Sequence, residues 1–589
     1  MKSLQIAAIE HLPFAEYRHT LADGRVCIRL RTGRDEFDRV TLLYTCNYGG
    51  SFEEGPRMPM EKMWCDDVHD VWQAVFLPDD PRLIYYFELN AQGVQLIHDA
   101  EGTHAKPENP ACAAPFHFHH AYPSEEKPEW ARGCIGYQIF PDRFCRVDVP
   151  GEEPVEPWGS RRVQNEYRFG GNLKGILTKV DYLQSLGVGV VYMTPLFVSD
   201  TSHRYNTFDY FKIDPLLGTM EDLKALAEAL HERGIRIVLD GVFNHCGTGF
   251  APFRDALEKG KDSPYYDWFF FDDKYPCGYM TFAENLPYMP KLNMRNPECV
   301  AYFLEVGRYW IREAHVDGWR LDVSTEGYSD FWRQYRRAVK AEDPEAILIS
   351  ECWDDAREFC VQGDMFDGTM HYVLSGAIWH FFAERAWTLC QFDEAVNKTM
   401  MHYPQEVQDV LWNFLSSHDT PRMLTRSGGR KNAMRAAVFF QMTFPGVPVI
   451  YYGDELGMTG GHDPYCRKSM TWERVDPNPM LTYYRQLTAM RGRMRVLREG
   501  TFLTWKTGSD GLYAYLRRLN GETVLCLLNT SDERISRSVA LPEALAGEKR
   551  LEDAGSGRTL QVRAGWVNIS LPAGRGMVLT KREEAAEEA

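Results

Sequence analysis

The segment from Asp317 to Cys352 reads DGWRLDVSTEGYSDFWRQYRRAVKAEDPEAILISEC and contains the pattern that decides the fold. An apolar run, GWRLDV, is followed by a stretch in which apolar and charged residues mix, and then by a second apolar run, AILIS. Short apolar strands that alternate with amphipathic helices are typical of βα units with parallel strands. The segment therefore predicts two neighbouring parallel strands joined by a helix.

The same rhythm extends in both directions along the chain. The candidate strands, in order, are IGYQIF, GVVYMTP, IRIVLDGV, DGWRLDV, AILISEC, MFDGTM, WNFLSSHD and VPVIYYGDE. Eight strands interleaved with helices over roughly 370 residues predict an α/β fold, the (β/α)8 TIM barrel with insertions. We assign residues 126–500 to this barrel, with an inserted subdomain at about residues 246–296, after the third strand.

Both ends of the chain follow a different pattern. Residues 1–125 contain short runs of alternating apolar and polar residues, such as RVCIRLRTG and LIYYFELN, which predict an N-terminal β-sandwich. Residues 501–589 return to short strands, such as LYAYLRRL and TVLCLLNT, and end in the charged run REEAAEEA. We predict a C-terminal antiparallel β-domain there, followed by a short acidic tail.

Composition restricts the possible partners and the compartment. Lys and Arg number 66 and Asp and Glu number 83, so the net charge is −17. Such a field repels phosphate backbones and anionic membrane surfaces, which argues against nucleic acid and membrane partners. The first residues form no secretory signal of useful length, and the 14 cysteines include no C-x-x-C pair. We therefore expect a cytoplasmic protein with reduced thiols.

Polar residues accumulate where several predicted strands end. They follow the third, fourth, fifth and seventh strands in turn: Asp240, Asn244 and His245; Arg320 and Asp322; Glu351; and His418 and Asp419. In a TIM barrel the active site is built from these strand ends. A cluster of carboxylates, one arginine and two histidines on one rim needs mutual neutralisation or a function.

Cleavage of a glycosidic bond is a reaction that such a cluster can perform. A retaining glycosidase uses one ionised carboxylate as nucleophile and one protonated carboxylic acid, about 5 Å apart. Asp322 and Glu351 follow adjacent strands and can face one another. Arg320 lies on the same side of its strand as Asp322, so we expect it to keep Asp322 ionised, while Glu351 needs a raised pKa.

Several motifs along the whole chain carry a resemblance to a known family. They are GVGVVYMTPLF, DGVFNH, MPKLN, GWRLDV, the Glu of SECWDDA, SSHDTPR and YYGDELGMTGGHDPYCRKSMTWE. With these motifs in this order, the chain resembles the α-amylase family, glycoside hydrolase family thirteen. Within it, MPKLN, the DPYCRKSMTWE run and the N-terminal sandwich resemble the neopullulanase, cyclomaltodextrinase and maltogenic amylase group, whose N-terminal module is of the starch-binding type.

The resemblance assigns roles to individual residues. It implies that Asp322 is the nucleophile, Glu351 the general acid/base and Asp419 the carboxylate that stabilises the transition state. The residues for which it implies contact with the sugar, or with the surroundings of the nucleophile, are Tyr205, Asp240, Asn244, His245, Arg320, Glu326, Trp353, His418, Asp463 and Arg467. The motif VSTE, which ends at Glu326, departs from the VANE that is common in the group, so acceptor-side specificity stays open.

A calcium site is the clearest departure from the family pattern. Many members bind calcium through a loop resembling RFANGD followed by GGD, whereas this chain has RFCRVD, ending at Asp148, and GGN, ending at Asn172. Calcium prefers several hard oxygen ligands, and Arg146 and Val147 supply none in place of the small polar residues. We expect that no cofactor is required, with Asp148 and Asn172 as candidate ligands of a weak or absent calcium site.

The resemblance also implies substrates and a partner. Expected substrates are maltooligosaccharides, cyclodextrins, pullulan or starch, cleaved at α-1,4 bonds with α-1,6 bonds left open, and transglycosylation is an expected side activity. Relatives with this N-terminal module often dimerise through it, which implies a homodimer. Two alternatives are a non-catalytic glucan-binding or partner subunit, against which the three intact carboxylates argue, and an exo-acting α-1,6-glucosidase, which the sandwich and MPKLN disfavour.

Overall fold

The central element of the structure is a closed eight-stranded parallel barrel. The structure is a computed structural model that describes residues 4–47, 50–80, 82–91, 93–106, 113–118, 126–148, 155–160, 163–283 and 286–581. The barrel strands are β1 (Gly136–Ile139), β2 (Val190–Met193), β3 (Arg236–Gly241), β4 (Gly318–Leu321), β5 (Ile347–Cys352), β6 (Gly368–His371), β7 (Trp412–Phe414) and β8 (Val447–Tyr451). Every strand predicted from the sequence is confirmed.

The register of the barrel brings the polar strand ends together. Parallel pairs align Asp240 with Arg320 across β3 and β4, and Leu321 with Ser350 across β4 and β5. Apolar side chains such as Val190, Ile349 and Val447 are buried in the barrel core. Because successive strand ends lie at one rim, the residues that follow them face a common cleft.

Gly318 begins β4 at a position that tolerates no side chain. Its φ is +152°, and an added Cβ would lie 2.2 Å from the carbonyl oxygen of Ile347 on β5. The close approach of these two backbones sets the pairing of the strands that carry Asp322 and Glu351.

Helices connect the strands in the order that the sequence predicts. The α-helices between Pro141 and Arg495 that belong with the barrel are Pro141–Phe144, Leu173–Leu177, Val180–Ser185, Met220–His231, Ala251–Lys259, Pro297–Ala314, Ser329–Glu342, Arg357–Cys360, Tyr372–Ile378, Met423–Arg426, Lys431–Thr443, Pro479–Arg493 and Arg495–Glu499. Met220–His231 begins with a capping box, in which Thr219 and Asp222 each accept a backbone N–H of the other. Local signals of this kind explain why the helix begins where the apolar periodicity starts.

The inserted segment lies between β3 and the helix Pro297–Ala314, where the sequence predicts it. It consists of the helix Ala251–Lys259, two 3-10 turns, and bridges between Phe271 and Tyr279 and between Thr281 and Pro290. Aromatic rings such as Phe253 and Tyr279 pack edge to face at 4.9 Å within it. This local aromatic core folds the segment into a wall beside the strand ends.

The chain divides into two compact units, of which the smaller contains Met1–Glu126, Val361–Gly363 and Thr388–Gln408. Its two antiparallel sheets are formed by Arg18–Thr20, Val26–Gly33, His69–Phe76 and Glu61–Cys65, and by Arg57–Pro59, Arg39–Cys46, Leu83–Ala91, Val94–Asp99, Gly102–Ala105 and Phe116–Phe118. Ile28, Trp72 and Phe87 fill the core between the sheets. The predicted β-sandwich is confirmed, and the boundary at residue 125 lies outside the described residues.

The smaller unit also contains a helix that the sequence assigns to the barrel region. Leu389–His402 packs on the sandwich, where Arg29 Nη1 donates a 2.8 Å hydrogen bond to the carbonyl oxygen of Met401. Arg34 pairs with Glu394 at 3.1 Å in the same contact. The order of the elements along the chain does not reveal this packing, because the contacts join residues more than 350 positions apart.

The larger unit contains the barrel and an eight-stranded antiparallel C-terminal sheet. Its strands are Thr501–Thr504, Leu512–Leu519, Glu522–Asn529, Ile535–Ala540, Arg550–Asp553, Arg558–Arg563, Trp566–Leu571 and Gly576–Lys581, and the helix Glu543–Ala546 lies between them. The buried Arg517 guanidinium joins sheet to barrel by donating to the carbonyl oxygens of Thr443 and Leu497 at 2.5 and 2.7 Å. The predicted C-terminal β-domain is confirmed, and the acidic tail lies outside the described residues.

Candidate active site

A cleft of about 480 Å³ opens at the carboxyl ends of the barrel strands. Of the residues singled out in the sequence, it is lined by Tyr205, His245, Asp322, Glu326, Glu351, Trp353, Asp419, Asp463 and Arg467. Of the other residues singled out there, Asp240, Arg320 and His418 are buried behind this lining, and Asn244 lines an adjacent small cavity. The structure therefore gathers the predicted residues at one place, in two layers.

Arg320 is the charged centre of the site. Its guanidinium is fully buried and contacts three carboxylates from successive strand ends. Nη1 donates to Asp240 Oδ1 at 2.9 Å and to Asp322 Oδ1 at 2.7 Å, and Nη2 lies 2.8 Å from Glu351 Oε1. Because the two ends of one planar group hold Asp322 and Glu351, these carboxylates lie side by side.

Burial changes the protonation that we expect for Asp322 and Asp240. Burial raises the pKa of Asp322 well above its usual range, the nearby Glu351 carboxylate raises it further, and Arg320 only partly opposes the two effects. Burial likewise raises the pKa of Asp240 to about 6 against the opposing charge of Arg320. Arg320 therefore favours the ionised form of Asp322, as the sequence leads us to expect, but burial and the charge of Glu351 outweigh this effect.

Two hydrogen-bond donors besides Arg320 contact the Glu351 carboxylate. Its Oε2 accepts the backbone N–H of Val323 at 2.9 Å, and its Oε1 accepts the indole N–H of Trp353 at 3.2 Å. Val323 adopts a left-handed conformation with φ +46°, which a β-branched residue rarely does. This strained turn directly after Asp322 aims the amide at Glu351, so local backbone strain positions the second carboxylate.

Asp419 closes the other side of the cleft. Arg467 Nη2 donates to Asp419 Oδ1 at 3.0 Å, and His418 Nε2 lies 3.0 Å from Asp419 Oδ2. Arg467 also donates to the carbonyl oxygen of His418 at 2.8 Å and pairs with Asp463 at 2.8 Å. Arg467, which the sequence suggests as a sugar ligand, thus also fixes the third carboxylate in the cleft.

Tyr205 and His418 form a stacked pair beneath the cleft. Their rings are parallel within 6° with centroids 5.3 Å apart. The Tyr205 hydroxyl lies 2.9 Å from Asp240 Oδ2 and 2.5 Å from His418 Nε2. Burial, with the charges of Arg467 and Arg320, lowers the pKa of His418 well below its usual value. The imidazole is therefore neutral at physiological pH and can serve as a hydrogen-bonding group rather than as a cation.

His245 presents an unpaired polar atom in the cleft wall. Among the described residues its Nε2 is buried without a hydrogen-bond partner, and its ring stacks on Phe282 at 4.6 Å. Burial and the charge of Lys291 lower the pKa of His245 to about 3. A buried, unsatisfied imidazole nitrogen that lines a cleft is a suitable partner for a hydroxyl group of a ligand.

Trp353 forms an exposed aromatic surface beside Glu351. About half of its surface, 51%, is exposed, and its ring stacks on Tyr372 at 4.1 Å. An indole that is supported from below and open above is suited to stacking against a sugar ring.

Several lining residues carry no role in the sequence analysis. They are Asn165, His203, Phe282, Leu286, Tyr288, Met289, Val323 and Thr325. Met289 belongs to MPKLN, and Phe282 and Leu286 lie in the aromatic-rich insertion, so motif and composition point toward them. Asn165 has no such signal, because an irregular loop brings its side chain to Arg467 Nη1 at 3.0 Å across 302 residues.

The candidate calcium ligands do not form an oxygen shell. Asn172 Oδ1 accepts the Gly175 N–H at 2.8 Å as the cap of helix Leu173–Leu177, and its Nδ2 donates to the Val147 carbonyl. Asp148 is 85% exposed and pairs with Arg146 at 2.6 Å. These residues do not fit calcium, because a guanidinium and an amide N–H face the oxygens that the ion needs. Within the described ranges, no three His, Cys, Asp or Glu residues converge as a metal site.

The helices in the described part of the chain are too short or too polar to span a membrane.

Comparison with known proteins adds independent information. Residues 138–495 match the family model described as alpha amylase, catalytic domain, and residues 4–122 match alpha amylase, N-terminal ig-like domain. A cyclomaltodextrinase from Geobacillus thermopakistaniensis is 39% identical over 582 residues, covering 96% of this chain and 97% of the relative. An intracellular maltogenic amylase from Bacillus subtilis is 34% identical over 580 residues, covering 95% and 96%. A solved cyclomaltodextrinase structure superposes with a TM-score of 0.90 at 34% identity, covering 98% and 100%.

Proposed function

The chain belongs to the alpha-amylase family and is a glycoside hydrolase that acts on α-glucans; from this premise we propose that its cleft cleaves α-1,4-glucosidic bonds with retention of configuration. The observation that supports retention is the buried Arg320, which holds the Asp322 and Glu351 carboxylates side by side. Two carboxyl groups held close together fit the retaining reaction, in which one of them attacks the sugar directly.

The proposed reaction has two steps. In the first, a carboxylate oxygen of Asp322 attacks the anomeric carbon, the glycosidic C–O bond breaks, and the Glu351 carboxyl gives its proton to the leaving oxygen. In the second, Glu351 as carboxylate takes a proton from water, whose oxygen displaces Asp322 from the anomeric carbon. A sugar hydroxyl can replace the water, which gives transglycosylation. Asp419 faces the positive charge that develops on the sugar ring.

Small α-glucans are the proposed substrates, with cyclodextrins and maltooligosaccharides first. The relatives' names support this choice, and the cleft volume of about 480 Å³ suits a few sugar rings rather than a granule. The test is product analysis by chromatography after incubation with β-cyclodextrin, pullulan, soluble starch and maltotriose. Failure of the protein to hydrolyse any of them would contradict the proposal. The pullulan products decide between α-1,4 and α-1,6 cleavage.

Catalysis is proposed to need no calcium. Support comes from Asn172, whose side-chain oxygen caps a helix, and from Arg146, whose guanidinium occupies the loop beside Asp148. We expect that dialysis against EDTA changes kcat/KM on β-cyclodextrin by less than about twofold, because no hydrolytic group depends on the ion. Calorimetry on the chelated protein is the second measurement, and stoichiometric calcium binding that restores lost activity would refute this expectation.

A homodimer through the N-terminal unit is a further proposal. Phe14 and Leu77 of that unit are 58% and 68% exposed, so both apolar side chains are available to a second copy. Changing both to Ser is expected to shift the protein toward monomer in sedimentation equilibrium, since the apolar contact is lost. Trp566→Ser, at a 51% exposed position of the C-terminal domain, is the control. A wild-type monomer at micromolar concentration would exclude the dimer.

The proposed compartment is the cytoplasm. The name of the Bacillus subtilis relative contains the word intracellular, and all described cysteines are free thiols. Fractionation of the native host with antibody detection tests this proposal, and recovery of the protein outside the cytoplasmic fraction would contradict it.

A further inference from the structure

The motif MPKLN contains one charged side chain, Lys291, to which the proposed reaction gives no role. Its backbone pairs with the loop after β3, where Cys246 N–H donates to the Pro290 carbonyl and Leu292 N–H to the Asn244 carbonyl, both at 3.0 Å. These two bonds form an antiparallel bridge between His245 and Lys291. The motif is thus attached to the cleft wall, and the side chain of Lys291 is only 11% exposed.

The ammonium of Lys291 is surrounded by oxygen atoms from two barrel loops. Nζ donates to Glu326 Oε2 at 2.6 Å and to Asn244 Oδ1, and lies 3.5 Å from the Glu326 carbonyl oxygen. An ammonium has three donors and no acceptor, so this set satisfies it completely. The inserted segment, the loop after β3 and the loop after β4 are therefore joined at one atom.

Glu326 is the member of this group that reaches the cleft. Its side chain is 42% exposed, and it lines the same cavity as Glu351 and Trp353. Its Oε2 also accepts Asn244 Nδ2 at 3.3 Å. Because the side-chain oxygen Oδ1 of Asn244 accepts from Lys291, the side-chain amide is oriented with its N–H₂ toward Glu326. In the described structure, Lys291 is the cation within ion-pair distance of this carboxylate.

We propose that Lys291 is a positioning residue that holds the Glu326 carboxylate at the acceptor side of the cleft and so favours sugar hydroxyls over water as acceptors. This inference rests on the proposed function. A fixed carboxylate accepts hydrogen bonds from the hydroxyls of an incoming sugar, whereas a free one turns into solvent and loses its orientation. In the transfer step, the acceptor oxygen bonds to the anomeric carbon, the bond to Asp322 breaks, and the hydroxyl proton passes to Glu351.

The decisive measurement is the ratio of transfer to hydrolysis products from maltotriose at fixed concentration. Lys291→Met preserves the length of the side chain but removes its three donors. We expect this ratio to fall by about fivefold, the effect of losing a partly exposed ion pair, with a rise in KM for added acceptor sugar. Lys259→Met, which removes an exposed ion pair with Asp255 in the inserted helix, is the matched control and should leave the ratio unchanged.

A double-mutant cycle separates positioning from a general effect on structure. Glu326→Gln is expected to lower the ratio of transfer to hydrolysis products on its own. Because the Glu326 side chain is 42% exposed, the substitution should not unfold the protein. If Lys291 acts through Glu326, adding Lys291→Met to Glu326→Gln lowers the ratio no further. Multiplicative effects, or an unchanged ratio in either single variant, would overturn the proposal. If instead the wild type hydrolyses no α-glucan, the proposed function fails first, so the two failures are distinguishable.

Discussion

Asp322→Asn is expected to lower kcat/KM on maltotriose and β-cyclodextrin by at least about 10⁴-fold. The amide has nearly the same shape as the carboxylate, and its oxygen can still accept the Arg320 Nη1 hydrogen bond that Asp322 makes at 2.7 Å. It cannot, however, form the covalent bond to the anomeric carbon. The loss therefore reports chemistry rather than misfolding, and initial rates by reducing-sugar assay measure it.

The control for this variant is Asp330→Asn. Asp330 lies in the first turn of the helix Ser329–Glu342, its side chain is 91% exposed, and it pairs only at 3.3 Å with Arg333. Its variant should keep activity within about twofold, as expected for a surface substitution. If Asp322→Asn retained more than about a hundredth of wild-type activity while it remained folded, Asp322 would not be the nucleophile.

Glu351→Gln is expected to have the second largest effect, and that effect should depend on the leaving group. With maltotriose, whose leaving oxygen needs a proton, kcat should fall about 10³-fold. With α-maltosyl fluoride, whose leaving fluoride needs none, the first step should proceed and the second should stall.

Mass spectrometry gives the direct readout of the stalled step. The Glu351→Gln protein should gain the mass of one maltosyl group after mixing with α-maltosyl fluoride, with the adduct on the peptide that contains Asp322. Glu358→Gln, at an exposed position of the helix Arg357–Cys360, should behave as wild type. Equal losses on the fluoride and on maltotriose, without an adduct, would show that Glu351 is not the acid/base.

The raised pKa of Asp322 has a consequence for pH dependence. The pKa of Asp322 lies well above its usual range because burial and the Glu351 charge both disfavour its ionised form. As the pH falls, Asp322 therefore takes up its proton at a higher pH than a solvent-exposed carboxylate does. The acid limb of the kcat/KM profile, which reports protonation of the nucleophile, is therefore expected above the usual carboxylate range.

Much of the fold follows from local patterns in the sequence. Runs such as IRIVLDGV predict β3 because buried parallel strands are continuous apolar segments, and β3 spans Arg236–Gly241. The three carboxylates are predictable for the same reason, since each lies at or shortly beyond the carboxyl end of a strand, and strand ends converge in a barrel. Periodicity thus specifies both the order of the elements and the residues at their ends.

Other features depend on contacts between distant residues. The helix Leu389–His402 packs on the sandwich through Arg29, and Asn165 reaches Arg467 from an irregular loop. The sequence also places Asn244, His418 and the predicted lining residues on one rim. It does not distinguish the layer that faces the cleft from the layer behind it. Depth is set by packing, which a linear pattern does not encode.

The sequence by itself determined the barrel, its strand ends and the chemical types assembled there, because strand periodicity and parallel topology are local properties that repeat along the chain. Only the tertiary structure decided which carboxylates compete for Arg320, and that the Lys291 ammonium joins Asn244 to Glu326. The physical reason is electrostatic. The protonation and orientation of a group depend on its burial and on the charges within a few ångströms, and folding brings those charges from remote parts of the chain.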